Sequence, residues 1–211
     1  MIIAIDGPAG AGKGTLAKAL AERFDYAYLD TGALYRATAL SVLESGGNPE
    51  DEVKAAEAAR TLDLTILTSE KLRTGEVGAK ASVVAKIPAV RAALLDFQRD
   101  FATKPPQGKA GAVLDGRDVG TVVVPEAPVK LFITASDEVR AQRRTEELRQ
   151  KGESSIYTRV LADLRERDAR DAGRADAPMR KADDAVEIDT SDLTVDQVLQ
   201  AALSVIAEKQ G

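Results

Sequence analysis

A glycine-rich segment near the amino terminus carries the residues of this sequence that most clearly predict chemistry. It fits the pattern G-x-x-x-x-G-K, and it lies between a β-like apolar run at residues 2–5 and a segment whose apolar residues have helical spacing. Glycines there let backbone N–H groups surround a phosphate, the helix amino terminus adds partial positive charge, and Lys13 reaches the β and γ oxygens of a nucleotide. The alternative is a turn that only joins strand and helix. We expect a phosphate-binding loop that holds ATP through Gly7, Pro8, Ala9, Gly10, Ala11, Gly12, Lys13, Gly14 and Thr15.

The residue after the lysine departs from the usual pattern of such loops. It is Gly14, where a serine or threonine commonly binds Mg²⁺, and the hydroxyl of Thr15 comes one place later. Mg²⁺ keeps several waters and is often bound through nucleotide phosphates. Asp115 ends the apolar run at residues 112–114, where this kind of fold places a carboxylate toward the metal. We expect Mg²⁺ as cofactor, with Thr15 and Asp115 as candidate contacts that act mainly through water.

The composition excludes several kinds of chemistry. The 211 residues include neither cysteine nor histidine, so disulfides, thiolate zinc sites, cysteine nucleophiles and histidine bases are excluded. Catalysis must then use carboxylates, hydroxyls, lysine, arginine and backbone groups. No apolar stretch reaches membrane-spanning length, and the amino terminus enters a β-like run instead of a leader, so we expect a cytoplasmic protein that does not enter membranes.

The charged residues are unevenly distributed. The formal net charge of −5 argues against a general nucleic-acid coat, yet nine of the seventeen arginines lie between Arg140 and Arg174. Two interpretations remain open for this segment: a solvated helix face with acidic partners, or a site for a polyphosphate.

Short apolar runs alternate with helical spacing along the chain. Strands are predicted at residues 2–5, 26–29, 112–114, 129–133 and 186–188, and helices at 16–24, 34–42, from about Pro49, from Pro88, from Asp137 to Lys151 and at 195–207. A further strand-like run at residues 64–67 belongs to a small excursion from the core. This alternation predicts an α/β fold with a mostly parallel sheet covered on both faces.

Several segments together resemble the bacterial cytidylate kinases, which belong to the nucleoside monophosphate (NMP) kinases of the P-loop type. They are the Gly-Lys-Gly-Thr order in the loop and residues 28–36, 115–123, 166–171 and 188–191, so that the resemblance runs nearly end to end. It implies a three-layer P-loop NTPase fold with a five-stranded parallel sheet, in one domain spanning 1–211. The core would be about 1–40, 90–150 and 183–211, the NMP-binding region about 41–100 and the lid about 150–178.

The resemblance also implies the reaction, which is transfer of the ATP γ-phosphoryl group to CMP or dCMP. A nucleotide phosphate is already anionic, so this acceptor needs no general base. Catalysis then depends on positioning and charge neutralisation, and the residues that match the family's catalytic positions are Lys13, Arg36, Arg117 and Arg167. Surface salt bridging is the alternative role of the three arginines.

By the same resemblance, Asp118 is the carboxylate that accepts a hydrogen bond from the cytosine amino group, with Ser82, Arg91 and Arg174 completing the pocket. Uracil has a carbonyl at that place, so Asp118 rejects it. Asp171 matches the position that contacts the ribose hydroxyls. The alternatives are a turn-stabilising aspartate for Asp118 and a helix-surface pair for Asp171.

Residues at the end of the second predicted strand complete the expected CMP site. Asp30 and Thr31 precede a helix that carries Arg36 six residues after Asp30. For Asp30 we favour a role in orienting Arg36.

The chain also departs from the family pattern. The inserted β-structure usual in the acceptor domain is shortened here, since only residues 64–67 are strand-like. Glycines at 152–155 and 172–174 bracket an arginine-rich helix, and we hypothesise that they are hinges of a lid that closes over ATP. Rival functions are a UMP, AMP or shikimate kinase, or a nucleotide-sensing protein without turnover. We expect a monomer, because no apolar surface stripe stands out.

Overall fold

The sheet of this protein has five parallel strands. The computed structural model describes residues 1–150, 152 and 154–210. The strand order is β2-β3-β1-β4-β5, with β1 at Ile2–Asp6, β2 at Ala27–Asp30, β3 at Ala112–Asp115, β4 at Val129–Thr134 and β5 at Val186–Asp189. The helices are α1 at Lys13–Phe24, α2 at Thr31–Glu44, α3 at Glu52–Arg60, α4 at Gly75–Val84, α5 at Pro88–Thr103, α6 at Asp137–Gln150, α7 at Tyr157–Ala172 and α8 at Val195–Gln210.

The central strand β1 is buried on both faces because its side chains alternate between two apolar layers. Ile3 and Ile5 pack with Leu16, Leu20 and Ile206, which come from α1 and α8. On the opposite face, Ala4 packs in a second cluster with residues of β2, β3 and α5. The predicted three-layer α/β fold with a five-stranded parallel sheet is confirmed.

Because all strands are parallel, their carboxyl ends meet at one edge of the sheet. β1 ends at Asp6, β2 ends at Asp30 and β3 ends at Asp115. The register pairs Asp30 with Asp115 directly. Three carboxylates and the glycine-rich loop therefore lie at the same edge of the sheet.

The helices between β2 and β3 form a separate apolar cluster. Leu34 and Val42 of α2, Ala55 of α3, Val84 of α4 and Val90 of α5 all belong to it. The helix predicted from about Pro49 begins at Glu52, because the Asp51 carboxylate accepts hydrogen bonds from the next backbone N–H groups. This layer lies beside the sheet edge and supplies a second wall for the space above it.

The strand predicted at residues 64–67 is wrong. The chain forms a 3₁₀ helix at Leu64–Thr68, whose first turn is capped when Thr65 N donates to Asp63 Oδ1 at 2.9 Å. Ile66 and Leu67 pack against α2, whereas Leu64 is exposed. Four apolar residues in a row are compatible with a strand or a short helix, and here the cap and the α2 surface decide.

The predicted end of the helix at Lys151 and residue Glu153 of the predicted hinge lie outside the described residues. Among the helices that the described residues form, none is long and apolar enough to cross a membrane.

Gly111, which precedes β3, lies where two chain segments crowd the backbone. A Cβ on Gly111 would overlap the Met1 carbonyl oxygen and would lie 2.8 Å from the Tyr26 ring. We expect Gly111→Ala to lower the free energy of unfolding by about 1–3 kcal/mol, because the Met1 carbonyl accepts from Ala112 N and the Tyr26 ring stacks on Phe24, so either shift disturbs a contact. Gly78→Ala in α4 is the control: nothing lies within 4 Å, and the change is expected to stabilise by about 0.5–1 kcal/mol. Urea unfolding checks both, and equal stabilities of the two variants would contradict the packing.

Candidate active site

The glycine-rich loop adopts a backbone conformation that requires glycine at several positions. Gly7, Gly10 and Gly12 have φ of +140°, +77° and +94°. A Cβ on Gly7 would also overlap the Ile133 carbonyl oxygen, so the loop leaves β1 in close contact with β4. These conformations place Lys13 at the first position of α1, with its side chain turned back across the loop.

Lys13 is a buried cation. Its Nζ donates to the Pro8 carbonyl oxygen at 2.7 Å, and 5% of the residue is exposed. Burial, followed by repulsion from Arg117, lowers the pKa of Lys13 to about 7, although Asp115 and Asp6 act in the opposite direction. An anion entering the loop would stabilise the charged form of this lysine.

Asp115 lies beside the loop at the end of β3. Tyr28 Oη donates to Asp115 Oδ1 at 2.9 Å, and burial, followed by repulsion from Asp30, raises the pKa of Asp115 to about 6. A Cβ on Gly14 would lie 4.0 Å from Asp115 Oδ2. The glycine that replaces the usual serine or threonine therefore leaves space between the loop and this carboxylate.

Asp30 orients the first arginine of the site. Its carboxylate caps α2 by accepting from Ala33 N at 3.0 Å, and it forms a 2.5 Å ion pair with Arg36 Nη2. A Cβ on Gly32 would lie 3.1 Å from both of these side chains, so glycine leaves room for the pair. Thr31 Oγ1 donates to the Asp115 carbonyl oxygen at 2.8 Å, which ties the start of α2 to the end of β3.

A cluster of three arginines surrounds Asp171. Arg117 Nε donates to Asp171 Oδ2 at 3.0 Å, Arg174 pairs with Oδ1, and Arg167 Nε lies 3.9 Å from Oδ2. Burial raises the pKa of Asp171, but Arg117, Arg174 and Arg167 together outweigh it and hold this pKa below its usual range.

The cluster carries more positive than negative charge. Burial and the nearby Arg117 lower the pKa of Arg167 to about 10. The Nε atoms of Arg167 and Arg174 are buried without a hydrogen-bond acceptor. One carboxylate does not neutralise three guanidinium groups, so the cluster has the charge and the donors to bind a second anion opposite Lys13.

A buried ion pair lies further along the cleft. Arg91 on α5 pairs with Asp118, and both side chains are less than a tenth exposed. Arg91 also donates to the Ala85 carbonyl oxygen at 3.3 Å and lies 5.6 Å from the centre of the Tyr35 ring. Burial raises the pKa of Asp118, against the effect of Arg91 and Arg174. The buried Ser82 Oγ donates to the Ala79 carbonyl oxygen at 3.1 Å, so its lone pairs stay available as acceptors.

One cleft of about 610 Å³ joins most of the predicted residues, and a drug-sized ligand site has a similar volume. The predicted residues that line it are Ala9, Gly10, Gly12, Lys13, Gly14, Thr15, Asp30, Thr31, Arg36, Ser82, Asp115, Arg117, Asp118, Arg167, Asp171 and Arg174. Gly7, Pro8 and Ala11 form the loop backbone outside this lining. Arg91 is also outside it and reaches the cleft through its pair with Asp118.

Sequence reasoning missed several residues of the cleft. Tyr28, Tyr35 and Arg143 line it, and Arg143 donates to the Thr190 carbonyl oxygen at 2.7 Å. Both tyrosines lie within residues 28–36, a segment that carries the family resemblance, and this position could have identified them as candidate site residues.

The arginine-dense segment serves several purposes. Arg165 is exposed and pairs with Asp137, as a solvated helix face does. Arg140 is 3% exposed and donates to the Ala9 carbonyl oxygen at 3.0 Å and to Asp168 Oδ2 at 2.6 Å. Arg167 faces the cleft. The two interpretations left open by the sequence thus apply to different arginines of one segment.

Comparison with known proteins identifies close relatives. A family model described as cytidylate kinase matches residues 3–208. The cytidylate kinase of Rhodospirillum rubrum is 60% identical over 209 residues, which are 99% of this chain and 98% of that protein. The cytidylate kinase of Paramagnetospirillum magneticum is 58% identical over 209 residues, 99% of each chain.

Two solved structures share the fold at low sequence identity. An uncharacterised protein from Eubacterium ventriosum has a TM-score of 0.54 at 18% identity, covering 100% of this chain and 99% of that one. Shikimate kinase from Acinetobacter baumannii, in complex with shikimate, has a TM-score of 0.50 at 17% identity, covering 99% and 94%. At these identities the likeness concerns the fold alone.

Replacement of Lys13 should raise the stability of the protein and lower its kcat. The pKa of Lys13 is about 7 in the folded protein and about 10.5 when exposed, so the unfolded chain binds more protons between these values. The penalty for the buried cation is complete below pH 7 and disappears as pH rises toward 10.5. We expect Lys13→Met to stabilise the protein by about 1–3 kcal/mol at pH 6.5 and progressively less toward pH 9.5. Its kcat should fall about 10²-fold or more, because a charge-assisted donor is lost.

Urea unfolding at pH 6.5, 8 and 9.5 checks the stability, and a coupled ADP-release assay checks kcat. Lys104→Met is the control, since Lys104 is exposed on the far end of α5. It should change neither quantity. A Lys13→Met variant that is less stable than wild type at pH 6.5 would contradict the electrostatics of the loop.

Proposed function

Because this chain belongs to the cytidylate kinase family and is a nucleoside monophosphate kinase that phosphorylates CMP or dCMP with ATP, we propose which residues of its cleft bind each part of the two nucleotides. The observation that carries the proposal is the cleft itself. It places the cationic loop at Lys13, the arginine cluster around Asp171 and the buried Arg91–Asp118 pair in one continuous space. These are the groups needed for a donor phosphate, an acceptor phosphate and a cytosine base.

The reaction forms one bond and breaks one bond. An oxygen of the CMP phosphate attacks the γ-phosphorus of ATP, and the oxygen that bridges the β and γ phosphates leaves with ADP. The attacking oxygen is already anionic, so no residue has to remove a proton. The protein contributes alignment of the two phosphates and neutralisation of the charge between them.

Lys13 and the loop hold the donor phosphates. The loop offers backbone N–H groups at Gly10, Gly12 and Gly14, and α1 begins at Lys13. Phosphate binding would draw Lys13 Nζ from the Pro8 carbonyl oxygen toward the β and γ oxygens. The charge gained by this lysine then compensates the charge that develops on the departing ADP.

Arg36, Arg117 and Arg167 hold the acceptor phosphate and the transferred group. Two of them already have a carboxylate that fixes them, Asp30 for Arg36 and Asp171 for Arg117, and Arg167 Nε lies 3.9 Å from Asp171. Planar guanidinium groups can present two N–H donors to one phosphate. Prior fixation by Asp30 and Asp171 reduces the entropy that is lost when the phosphate arrives.

Asp118 recognises cytosine by accepting a hydrogen bond from its amino group. Its carboxylate is buried and held by Arg91, and Ser82 also lines the cleft as a further acceptor. Cytosine donates from its amino group toward Asp118, while its ring nitrogen and carbonyl accept from Arg91. Uracil would place a carbonyl against Asp118 and leave the carboxylate oxygen that faces the base without a donor, which costs about 1–3 kcal/mol.

Asp171 is proposed to contact the ribose hydroxyls, and Arg174, which pairs with it, to complete the base pocket. Asp171 is 1% exposed and lines the cleft at the centre of the arginine cluster. Because Asp171 already fixes Arg117, a hydroxyl that donates to Asp171 also influences the acceptor phosphate.

Mg²⁺ is proposed as the metal that accompanies ATP, and it would supply charge neutralisation between the β and γ phosphates. The residues present fit such an ion. The part of the chain described here contains no cluster of three metal-binding side chains. Asp115 and Thr15 do offer hard oxygen atoms beside the loop, and Gly14 leaves space next to Asp115 Oδ2. Mg²⁺ suits few protein ligands because it retains waters and binds phosphate oxygens.

The domain division expected from the sequence is kept as a proposal. The core would comprise about 1–40, 90–150 and 183–211, the NMP-binding region about 41–100 and the lid about 150–178. Gly152, with φ of +75°, and Gly173 flank α7 and are the proposed hinge positions within the described residues. We further propose that the enzyme is a cytoplasmic monomer that uses free nucleotides and no nucleic acid.

The rival functions differ in the acceptor. A shikimate or UMP kinase has no use for a buried carboxylate that accepts from an exocyclic amine, and Asp118 favours CMP and dCMP over both. A nucleotide sensor without turnover needs no second cluster of cations opposite Lys13. The substrate series below discriminates between these functions.

Asp118→Asn tests base recognition, with Asp176→Asn as its matched control. Both aspartates pair with Arg91, but Asp176 is exposed and does not line the cleft. We expect Asp118→Asn to lower kcat/KM for CMP and dCMP by about 10²-fold, because an amide can present its N–H₂ group to the cytosine amine. The value for UMP should change little, and Asp176→Asn should resemble wild type. A coupled ADP-release assay with CMP, dCMP, UMP and AMP measures this. A wild-type preference for UMP or AMP would exclude the assignment.

Omission of CMP tests the lid. A lid that closes over ATP excludes water, so ATP hydrolysis without acceptor should be below about 1% of the turnover with CMP. ADP release is measured with and without CMP at saturating Mg·ATP. Hydrolysis near the rate of turnover would show that water reaches the γ-phosphorus freely and would exclude this role of residues 150–178.

A further inference from the structure

The segment that carries Asp118 contains a helical turn that Asp118 does not cap. Val119–Val123 forms a single π-helical turn, and Asp118 is its N-cap residue without any side-chain hydrogen bond to the turn. An aspartate at this position ordinarily accepts from the first backbone N–H groups of its own helix. Here the Asp118 carboxylate instead pairs with Arg91 at the cleft.

Another aspartate, 112 residues earlier in the chain, caps this turn. Asp6 is the last residue of β1 and is 4% exposed. Its Oδ1 accepts from Val119 N at 2.8 Å, and its Oδ2 accepts from Gly120 N at 2.7 Å. Gly120 N is one of the N–H groups that the side chain of an N-cap residue usually accepts from, so Asp6 occupies a donor for which Asp118 would otherwise compete.

The surrounding packing shows that this arrangement is specific. A Cβ on Gly120 would lie 3.4 Å from Asp6 Oδ2 and 3.2 Å from Lys130 Cδ, so glycine permits the close approach. Gly116 N donates to the Ile5 carbonyl oxygen at 2.9 Å, which ties the beginning of the same segment to β1. Burial raises the pKa of Asp6 to about 7 although both backbone donors lower it.

We propose that Asp6 is a positioning residue for base recognition: by capping the turn at Val119–Val123 in place of Asp118, it leaves the Asp118 carboxylate free to accept from the cytosine amino group. This inference rests on the proposed role of Asp118. It assigns a function in base recognition to the residue before the phosphate-binding loop.

Asp6→Asn tests the inference with little change in size. Asparagine keeps one oxygen, but its N–H₂ group would face the second backbone N–H, so the turn loses an acceptor. The Asp118 carboxylate is then expected to bond to its own turn and to leave Arg91. The preference for CMP over UMP, measured as the ratio of kcat/KM values, should fall about tenfold, mainly through KM for CMP. KM for ATP should stay within about threefold of wild type.

Two controls separate positioning from general damage. Asp184→Asn removes the carboxylate that Lys130 Nζ contacts at 2.9 and 2.8 Å beside Gly120, and it should leave the preference for CMP unchanged. In an Asp118→Ala background, adding Asp6→Asn should not lower the preference further, because the carboxylate that Asp6 positions is gone. If Asp6→Asn only lowered stability, it would reduce activity equally in wild type and in the Asp118→Ala background. If Asp6→Asn does not fold, Asp6→Ser, which retains one acceptor, gives the same comparison.

The outcomes distinguish the two proposals. If Asp118→Ala loses the preference for CMP while Asp6→Asn keeps it, the inference about Asp6 is wrong and the role of Asp118 stands. If Asp118→Ala keeps the preference, the proposed base recognition is wrong, and the inference about Asp6 is wrong with it. A loss in both single variants with no further loss in the double variant supports the inference.

Discussion

The repulsion between buried cations is the constraint on which the rest of the cleft depends. Lys13, Arg117 and Arg167 all face one space, and their mutual repulsion contributes to the lowered pKa values of Lys13 and Arg167. Asp115 and Asp171 keep these cations in place without neutralising them. A phosphate bound in the cleft would stabilise this excess of positive charge, so the electrostatics of the cleft favour substrate binding.

The parallel sheet makes this arrangement possible. Asp6, Asp30 and Asp115 are the last residues of β1, β2 and β3, so the register of the strands sets the spacing of three carboxylates. Each then serves a different group: Asp6 the turn after Asp118, Asp30 the side chain of Arg36, and Asp115 the hydroxyl of Tyr28. The register of the sheet thus sets where these carboxylates lie, and the helices place the arginines around them.

Much of the fold and of the cleft could be predicted from the sequence because the informative signals are local. The loop, the five strands and most helix starts follow from spacing, glycine and capping residues. Residues 64–67 could not be predicted, since a run of four apolar residues fits a strand or a 3₁₀ turn until its neighbour is known. In the sequence, Asp6 looks like an ordinary residue at the end of a strand, and Arg140 looks like one of many arginines on a helix. Their roles depend on partners 113 and 28 residues away, which periodicity does not encode.

The hydrogen bonds of Arg140 join the phosphate-binding loop to α7. One guanidinium group holds the Ala9 carbonyl oxygen of the loop and the carboxylate of Asp168, which adjoins Arg167 on α7. In the lid movement proposed for residues 150–178, α7 would rotate about these bonds and would not slide along the loop while they persist. Such a rotation would bring the acceptor side toward the donor phosphates along one arc.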